Sequence, residues 1–283
     1  MTGGFRLAGH LGLSSPDKPF LAHSACSVAP LDQIDALAAH GFSGVQDLFL
    51  KLRTPAEREA MAERMAARGV SLASFGSDPT QWNTPLWTSG DHAAQRESVR
   101  ESAQVAPTFG GGGAVCVAGI DPDCSVTAQI RAMAGNLTRV AEQAMEARLV
   151  LLIEPIAPQR IPGMLLDRLE AAEEVVRLVD MPCVRLMFDI GHVAMMGHNV
   201  ADALHMCRDI IGVVQAADVL RHDRVAPGLG VLDWPAITRA LTRIGYDGLI
   251  ELEFEPASFS AADETAMLED VASRLGSWRH PLS

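Results

Sequence analysis

Residues 149–192 begin with LVLLIEPI (149–156) and end with VRLMFDIGH (184–192), two β-rich runs that each finish in polar residues. Similar runs recur along the chain, and segments with helical periodicity lie between them. Strands that alternate with helices are typical of a parallel sheet built from βαβ units. The predicted strands are 5–11, 45–50, 70–76, 114–120, 149–156, 184–192, 211–218 and 249–256. Eight such units predict a (β/α)₈ TIM barrel, formed as a single domain over residues 1–283.

Helix boundaries carry ordinary start and stop signals. A helix is predicted over 54–69, where Thr54 precedes a proline and a glycine ends the pattern. A second helix is predicted over 233–245, where Asp233 is the capping residue, Pro235 lies just inside the helix and Gly245 ends the pattern. Further helix starts are expected at Asn199 and near Ser260. The glycine run 110–113 leads into a strand, so it predicts a tight turn and not a phosphate-binding loop.

The composition is that of an ordinary globular protein, with 48% apolar and 20% charged residues. The 35 acidic and 23 basic residues give a net charge of −12, which argues against nucleic acid as a partner. Five cysteines without a C-x-x-C pair, no signal-peptide pattern and no long apolar stretch indicate a reduced, cytoplasmic protein outside membranes. The sequence leaves homo-oligomerisation open.

Polar side chains lie at the ends of four consecutive predicted strands. Glu154 ends the fifth strand, Asp189 ends the sixth, and Gln215 and Glu253 lie in the seventh and eighth. In a (β/α)₈ barrel the active site lies at these carboxyl ends. Carboxylates that are buried without a partner are strongly disfavoured, so a converging set of them needs a cation. An all-oxygen ligand set suits Mg²⁺ or Mn²⁺ better than Zn²⁺.

Several short motifs share their spacing with a known family. The matching stretches are EPI (154–156), IPG (161–163), FDIGH (188–192), VQAA (214–217), GYDG (245–248), IELEFEP (250–256) and, more loosely, GFSGV (41–45). With these motifs the chain resembles the xylose isomerase-like TIM barrels, and within them the hydroxypyruvate isomerase group. The resemblance implies a metal-dependent isomerase of a small hydroxy-carbonyl or sugar-acid substrate.

The same resemblance implies roles for individual residues. Glu154, Asp189, Gln215 and Glu253 would be the metal ligands, and Glu154 and Glu253 would also be the catalytic acid and base. The related ketose 3-epimerases carry His at the position of Gln215, so this residue favours the isomerase group. His192 would face the oxygens of the substrate.

The implied chemistry moves a proton between two carbons. It leaves a carbon next to a carbonyl and returns to the neighbouring carbon, and a divalent ion stabilises the enediolate formed between the two steps. Two carboxylates on opposite sides of the substrate can act as base and acid. Arg221 follows the seventh strand with His222, and it suits a substrate carboxylate because a guanidinium can bind both oxygens.

The chain departs from the family pattern at positions expected in the pocket. Gly191 stands where the group carries an aromatic residue, Val213 where it carries His, and Gln46-Asp47 where an acidic residue is expected. A sugar 3-epimerase or a lyase acting on an oxidised sugar, with the same metal site, therefore stays open. A DNA-repair endonuclease is disfavoured by the negative charge and the lack of a His cluster. A non-catalytic binding barrel is disfavoured by the intact ligand set.

The longest irregular stretch, residues 77–91, follows the third predicted strand. Long loops in compact domains are commonly functional. With Trp82 and Trp87 in it, this loop is predicted to be a lid over the strand ends.

The eighth predicted strand alternates glutamates with apolar residues. Side chains two apart share a face of a strand, so Glu251 is expected to point into the barrel, like Glu253. By the same alternation Arg185 points inward below Asp189. An ion pair between Glu251 and Arg185 is predicted, because neither charge is tolerated alone in the interior.

Overall fold

The computed structural model describes residues 5–257 and 260–275, and eight parallel strands form a closed barrel at its centre. These strands are β1 (Arg6–His10), β2 (Gly44–Asp47), β3 (Ser71–Gly76), β4 (Gly112–Cys116), β5 (Leu149–Ile153), β6 (Val184–Asp189), β7 (Ile211–Ala216) and β8 (Leu249–Leu252). Each strand pairs with its neighbours in chain order, and β8 pairs with β1. The predicted barrel and its eight strands are confirmed. Residues 1–4, 258–259 and 276–283 of the predicted domain lie outside the described residues.

Helices alternate with the strands along the chain. They are α1 (Pro30–Ala39), α2 (Pro55–Arg68), α3 (His92–Val105), α4 (Val126–Glu146), α5 (Leu169–Val179), α6 (Ile190–Met195), α7 (Val200–Cys207), α8 (Trp234–Arg243) and α9 (Ala261–Leu275). Within the described residues, no helix is both long and apolar enough to cross a membrane.

The predicted helix boundaries are confirmed at the capping residues. Thr54 forms a complete capping box with Glu57 at the start of α2, and Gly69 ends that helix with φ 66°. Asn199 and Asp233 cap α7 and α8 through their side chains. Side-chain oxygens at these positions accept backbone N–H groups that the first helical turn leaves free, which explains why the sequence marks the boundaries.

A small apolar cluster fills part of the barrel interior. Val115, Leu152 and Met187 form it from β4, β5 and β6. Side chains two residues further along a strand point to the same side. Glu154 and Asp189 therefore project inward at the carboxyl end, above Leu152 and Met187. The larger part of the core lies between the outer faces of the strands and the helices.

A short antiparallel hairpin follows β7, and the sequence did not predict it. Asp218–Leu220 pairs with Asp223–Val225. Arg221 has a φ of 60° at the turn. The carboxylate of Asp218 holds the segment after the hairpin, because it accepts the backbone N–H groups of Gly228 and Leu232 at 2.9 and 3.1 Å.

Candidate active site

A cavity of about 670 Å³ opens at the carboxyl ends of the strands. Charged and polar side chains line one part of it: Ser14, Asp78, Glu154, Arg160, His192, Asp223, Arg224, Glu253 and Glu255. Apolar side chains line another: Leu13, Leu48, Phe49, Val115, Val117, Ile156 and Ile161. The cavity thus combines predicted catalytic carboxylates with an apolar wall, as small-molecule sites commonly do.

Asp189 is fully buried at the end of β6 and caps α6. Its Oδ1 accepts the backbone N–H of His192 at 2.8 Å. Its Oδ2 accepts a hydrogen bond from Nη1 of Arg224 at 3.0 Å. Because Asp189 caps the helix that contains His192, the positions of this carboxylate and the imidazole are coupled.

His192 lies near two carboxylates, with Nε2 at 3.9 Å from Oε1 of Glu154 and from Oδ2 of Asp189. Its Nδ1 accepts the backbone N–H of Ala157 at 3.2 Å. Nδ1 therefore supplies a lone pair, and the neutral ring carries its proton on Nε2. Burial lowers the pKa of His192 to about 4, so the ring is neutral near pH 7. His192 offers an N–H donor at the cavity.

Two glutamates and two glutamines form one hydrogen-bonded group across β2, β7 and β8. Oε2 of Glu253 accepts from Nε2 of Gln46 at 2.8 Å and also from Nε2 of Gln215. Oε2 of Glu251 accepts from the same two amides, each at 3.0 Å, and from Oγ of Ser74 at 2.9 Å. Because both amides direct their N–H groups at carboxylates, their orientations are fixed.

The orientation of Gln215 leaves its carbonyl oxygen without a hydrogen-bond partner among the described residues. Oε1 of Gln46 and Oε1 of Glu251 share this property. Leaving a buried acceptor unpaired costs free energy. The Gln215 oxygen is the type of ligand that Mg²⁺ and Mn²⁺ accept beside carboxylates. The four predicted ligands therefore fit a hard divalent cation.

A second grouping of ligand atoms includes the imidazole. One atom each of Glu154, Asp189 and His192 lie within 4.8 Å of one another. With its proton on Nε2, however, the neutral His192 ring has no lone pair to give on that side. The imidazole fits a hydrogen-bond donor better than a metal ligand.

Burial and neighbouring charges shift the acidity of both predicted catalytic glutamates. Burial raises the pKa of Glu154 well above its usual range, and the Glu253 and Asp189 carboxylates raise it further. Burial also raises the pKa of Glu253, an effect that the Arg224 guanidinium opposes. Perturbed carboxyl groups in a cavity are typical of active sites.

Comparison with known proteins identifies the family of the chain. A family described as xylose isomerase-like TIM barrel matches residues 34–273. The chain belongs to this family. A 2-oxo-tetronate isomerase of Cupriavidus necator is 29% identical over 239 residues, which cover 82% of this chain and 89% of that protein. The hydroxypyruvate isomerase of Escherichia coli is 26% identical over 203 residues, covering 68% and 78%.

A solved structure supports the fold of this xylose isomerase-like barrel. The structure, described as an AP endonuclease of family 2 from Brucella melitensis, matches with a TM-score of 0.78. It covers 92% of this chain and 96% of that one at 21% identity. At this identity the likeness concerns the fold alone. The resemblance drawn from the sequence motifs is confirmed by the family match.

The arginine that this xylose isomerase-like barrel brings to the cavity differs from the predicted one. Arg221 is exposed at the hairpin turn. Arg224, three residues later, lines the cavity and contacts Asp189 and Glu253, the latter through Nη1 to Oε1 at 3.3 Å. The sequence signal was a charged residue in the short segment after β7, but the hairpin that turns Arg224 inward was not predicted.

The predicted ion pair between Glu251 and Arg185 is wrong. Glu251 is register partner to Gln215, which in turn is partner to Asp189, and Arg185 lies four residues before Asp189 on β6. The two side chains have different partners. Arg185 donates from Nη1 to the backbone oxygen of Asp209 at 2.9 Å.

Glu251 has other partners in place of a cation. Its Oε2 accepts hydrogen bonds from two amides and a hydroxyl. Burial, together with the nearby Glu253 carboxylate, raises the pKa of Glu251 to about 8. A carboxyl group that is neutral near pH 7 needs no ion pair.

The two tryptophans of the predicted lid occupy different environments. Trp82 lines the cavity and is 38% exposed. Trp87 is fully buried, and its indole N–H donates to Asp78 at 3.2 Å. Asn136 in α4 donates to the backbone oxygen of Trp87 at 3.0 Å. Trp87 therefore anchors the segment to the barrel, and Trp82 is the residue placed to cover the cavity.

Proposed function

We propose that the protein is a metal-dependent isomerase of a short sugar acid or 2-oxo acid. The observation that carries the proposal is the juxtaposition of Glu154 and Glu253 at one cavity. Asp189 lies between their strands, as does the oxygen of Gln215, which has no partner among the described residues. The names of the two relatives support it, since both are isomerases of small oxo acids. Hydroxypyruvate and 2-oxo-tetronate are accordingly the first substrates to test.

Glu154, Asp189, Gln215 and Glu253 would hold Mg²⁺ or Mn²⁺. When bound, such an ion supplies a positive charge that stabilises the negative charge developing on the substrate oxygens. The donor set supports this choice, because three carboxylates and an amide oxygen form a hard ligand set.

Glu154 and Glu253 would carry the proton transfer. One carboxylate removes the C–H proton from the hydroxyl-bearing carbon, and the electron pair forms the enediolate with the neighbouring carbonyl. The other carboxyl group returns a proton to the former carbonyl carbon, while the hydroxyl proton passes to the former carbonyl oxygen. The formula of the substrate is unchanged. The strands that carry the two glutamates are separated by β6 and β7, so a substrate between them can be reached from two sides.

His192 would hold a substrate oxygen through Nε2–H. A neutral donor with a fixed tautomer can stabilise a developing oxyanion without taking up its own proton first. The contact of Nδ1 with the backbone N–H of Ala157 fixes that tautomer.

Proton NMR in D₂O with added Mg²⁺ tests the proposal. We expect hydroxypyruvate or 2-oxo-tetronate to give an isomer of the same formula, with deuterium at the carbon that receives the proton. A parallel panel should contain aldoses, ketoses and 3-oxo glycosides. Neither turnover nor exchange of a carbon-bound proton with any of these compounds would contradict the proposed function.

A sugar 3-epimerase or a lyase is the second candidate. The observation that favours it is the volume of about 670 Å³, which far exceeds that of a three- or four-carbon acid and admits an oxidised sugar or glycoside. In an epimerase the same two glutamates would remove the proton and return one to the opposite face of the carbon, whereas in a lyase one glutamate would remove the proton and the other would protonate the leaving group. In the D₂O experiment an epimerase retains the carbonyl position and inverts one carbon, whereas a lyase changes the formula.

A further inference from the structure

Arg224 lies where the proposed metal ligands converge. Its side chain is 13% exposed and lines the cavity. Nη1 is 3.0 Å from Oδ2 of Asp189 and 3.3 Å from Oε1 of Glu253. One guanidinium nitrogen thus bridges carboxylates from two different strands.

The oxygens that Arg224 contacts are the ones to which no other described residue donates a hydrogen bond. Oδ1 of Asp189 already accepts the backbone N–H of His192. Oε2 of Glu253 accepts from Gln46 and Gln215. A cation that bound between Asp189 and Glu253 would therefore use Oδ2 and Oε1, and these are the atoms that Arg224 occupies.

We propose that Arg224 competes with the metal for Asp189 and Glu253, and that metal binding turns its guanidinium toward the cavity to bind the carboxylate of the substrate. This inference rests on the proposed function and names the substrate class, an anionic sugar acid or oxo acid. A buried guanidinium that loses its carboxylate partners needs another anion, and a substrate carboxylate matches its two-pronged donor geometry.

Gly191 has no side chain, and this leaves space beside Arg224. A Cβ at this position would lie 3.2 Å from Oδ1 of Asp189 and 3.6 Å from Cδ of Arg224. An aromatic ring extending from that Cβ would need the space beside both residues. The glycine that departs from the family pattern is therefore compatible with an arginine lying over Asp189.

The exchange of partners couples metal binding to substrate binding. Without competition from a metal, the Arg224 guanidinium is held by two carboxylates and is less available to an external anion. The metal should therefore raise the affinity for an anionic substrate, and the substrate should raise the affinity for the metal by the same factor.

Isothermal titration calorimetry of the full chain with Mn²⁺ tests the competition. Arg224→Gln removes the competing charge, so we expect Mn²⁺ to bind about tenfold more tightly or better. Arg160→Gln is the matched control, since it also removes a positive charge from the cavity lining. The ion pair found for Arg160 is with Asp223, at 3.9 Å. We expect Arg160→Gln to change Mn²⁺ affinity less than about threefold. Arg224→Lys should lie between wild type and Arg224→Gln.

A second titration tests the carboxylate role, with D-erythronate as the probe. Wild type should bind it more tightly with Mn²⁺ than after chelation, and Arg224→Gln should lose most of that gain. Unchanged or weaker Mn²⁺ binding by Arg224→Gln, or equal gains in Arg160→Gln, would overturn the inference while leaving the proposed function intact. If wild type binds no Mn²⁺, both the inference and the proposed metal site are wrong.

Discussion

At the scale of single residues, the hydrogen bond from the Ala157 backbone to His192 has the largest consequence for the chemistry. It makes Nε2 a donor, although this atom lies as close to two carboxylates as a metal ligand would. Distance alone would assign the imidazole to the metal. The direction of one backbone N–H favours assigning it to the substrate.

Substitution of His192 separates these assignments. We expect His192→Ala to change Mn²⁺ affinity less than about threefold while lowering kcat/KM by about 10² or more, because only a donor to the substrate is lost. Gln215→Leu is the comparison, since it removes a proposed ligand oxygen and should weaken Mn²⁺ binding at least about tenfold. Metal titration and steady-state kinetics measure the two effects. A loss of Mn²⁺ affinity in His192→Ala equal to that in Gln215→Leu would make His192 a ligand.

Residues at the ends of strands were predictable, and residues that depend on register or on loops were not. Glu154 and Asp189 stand out because a polar residue follows an apolar run. Gln46 and Ser74 are polar residues within β2 and β3, and only the pairing of the strands brings them to Glu251. Arg224 could not be chosen over Arg221, because the backbone turn between them decides which one faces the cavity.

At the scale of elements, capping residues explain why helix boundaries could be read from the sequence. In α2, Oγ1 of Thr54 accepts the backbone N–H of Glu57 at 3.2 Å, and Glu57 accepts the Thr54 backbone N–H at 2.8 Å. Both contacts are local in sequence, so no tertiary information was needed. The hairpin after β7 lacks such a local signal, since its strands are three residues each.

Removal of the Thr54 cap should destabilise the protein without affecting the active site. We expect Thr54→Ala to lower the free energy of unfolding by about 1 kcal/mol, since a backbone N–H at the start of α2 loses its partner. Thr265→Ala is the control, because Thr265 is exposed within α9 and alanine is the better helix former. Urea denaturation at neutral pH measures both. Equal effects of the two substitutions would show that the capping box contributes nothing.

At the scale of the whole molecule, the number and order of the strands could be predicted from the sequence. Short β-rich runs alternate along the chain with segments that have the hydrophobic period of a helix. Closure of the barrel followed from the count of eight. The sequence did not predict which inward-facing side chains meet, because the register of each strand against its neighbours is set only in the closed barrel. Glu251 illustrates this, since its inward direction was predicted correctly but its partners are Gln46, Ser74 and Gln215 and not Arg185.

Acid stability should depend on His10, which is buried where β1 meets the end of β8. Its Nδ1 accepts the backbone N–H of Gly12, and Nε2 donates to the backbone oxygen of Phe254 at 3.0 Å. Burial lowers the pKa of His10 from 6.5 to about 4. As the pH falls from 6.5 to 4, His10 binds a proton in the unfolded chain but stays neutral in the folded chain. The stability present above pH 6.5 is therefore lost progressively in this window, by up to about 3 kcal/mol.

Urea denaturation at several pH values measures the contribution of His10. We expect His10→Asn to be less stable at pH 7 and to lose less stability than wild type between pH 6.5 and 4. His205→Asn is the control, because His205 is exposed on α7. An identical pH dependence in wild type and His10→Asn would remove His10 from this account.

The central claim is that Glu154 and Glu253 transfer the proton, and turnover of their glutamine variants with Mn²⁺ bound tests it most directly. Each variant keeps an oxygen ligand and nearly the same volume but removes the basic group. We predict a loss of about 10²–10⁴ in kcat for either single variant. The double variant should be little worse, since the two residues act as a unit. Glu255→Gln, which removes a half-exposed carboxylate that lines the same cavity and accepts a hydrogen bond from Ser14, should lose far less. Near-normal turnover in either single variant, with Mn²⁺ still bound, would contradict the claim.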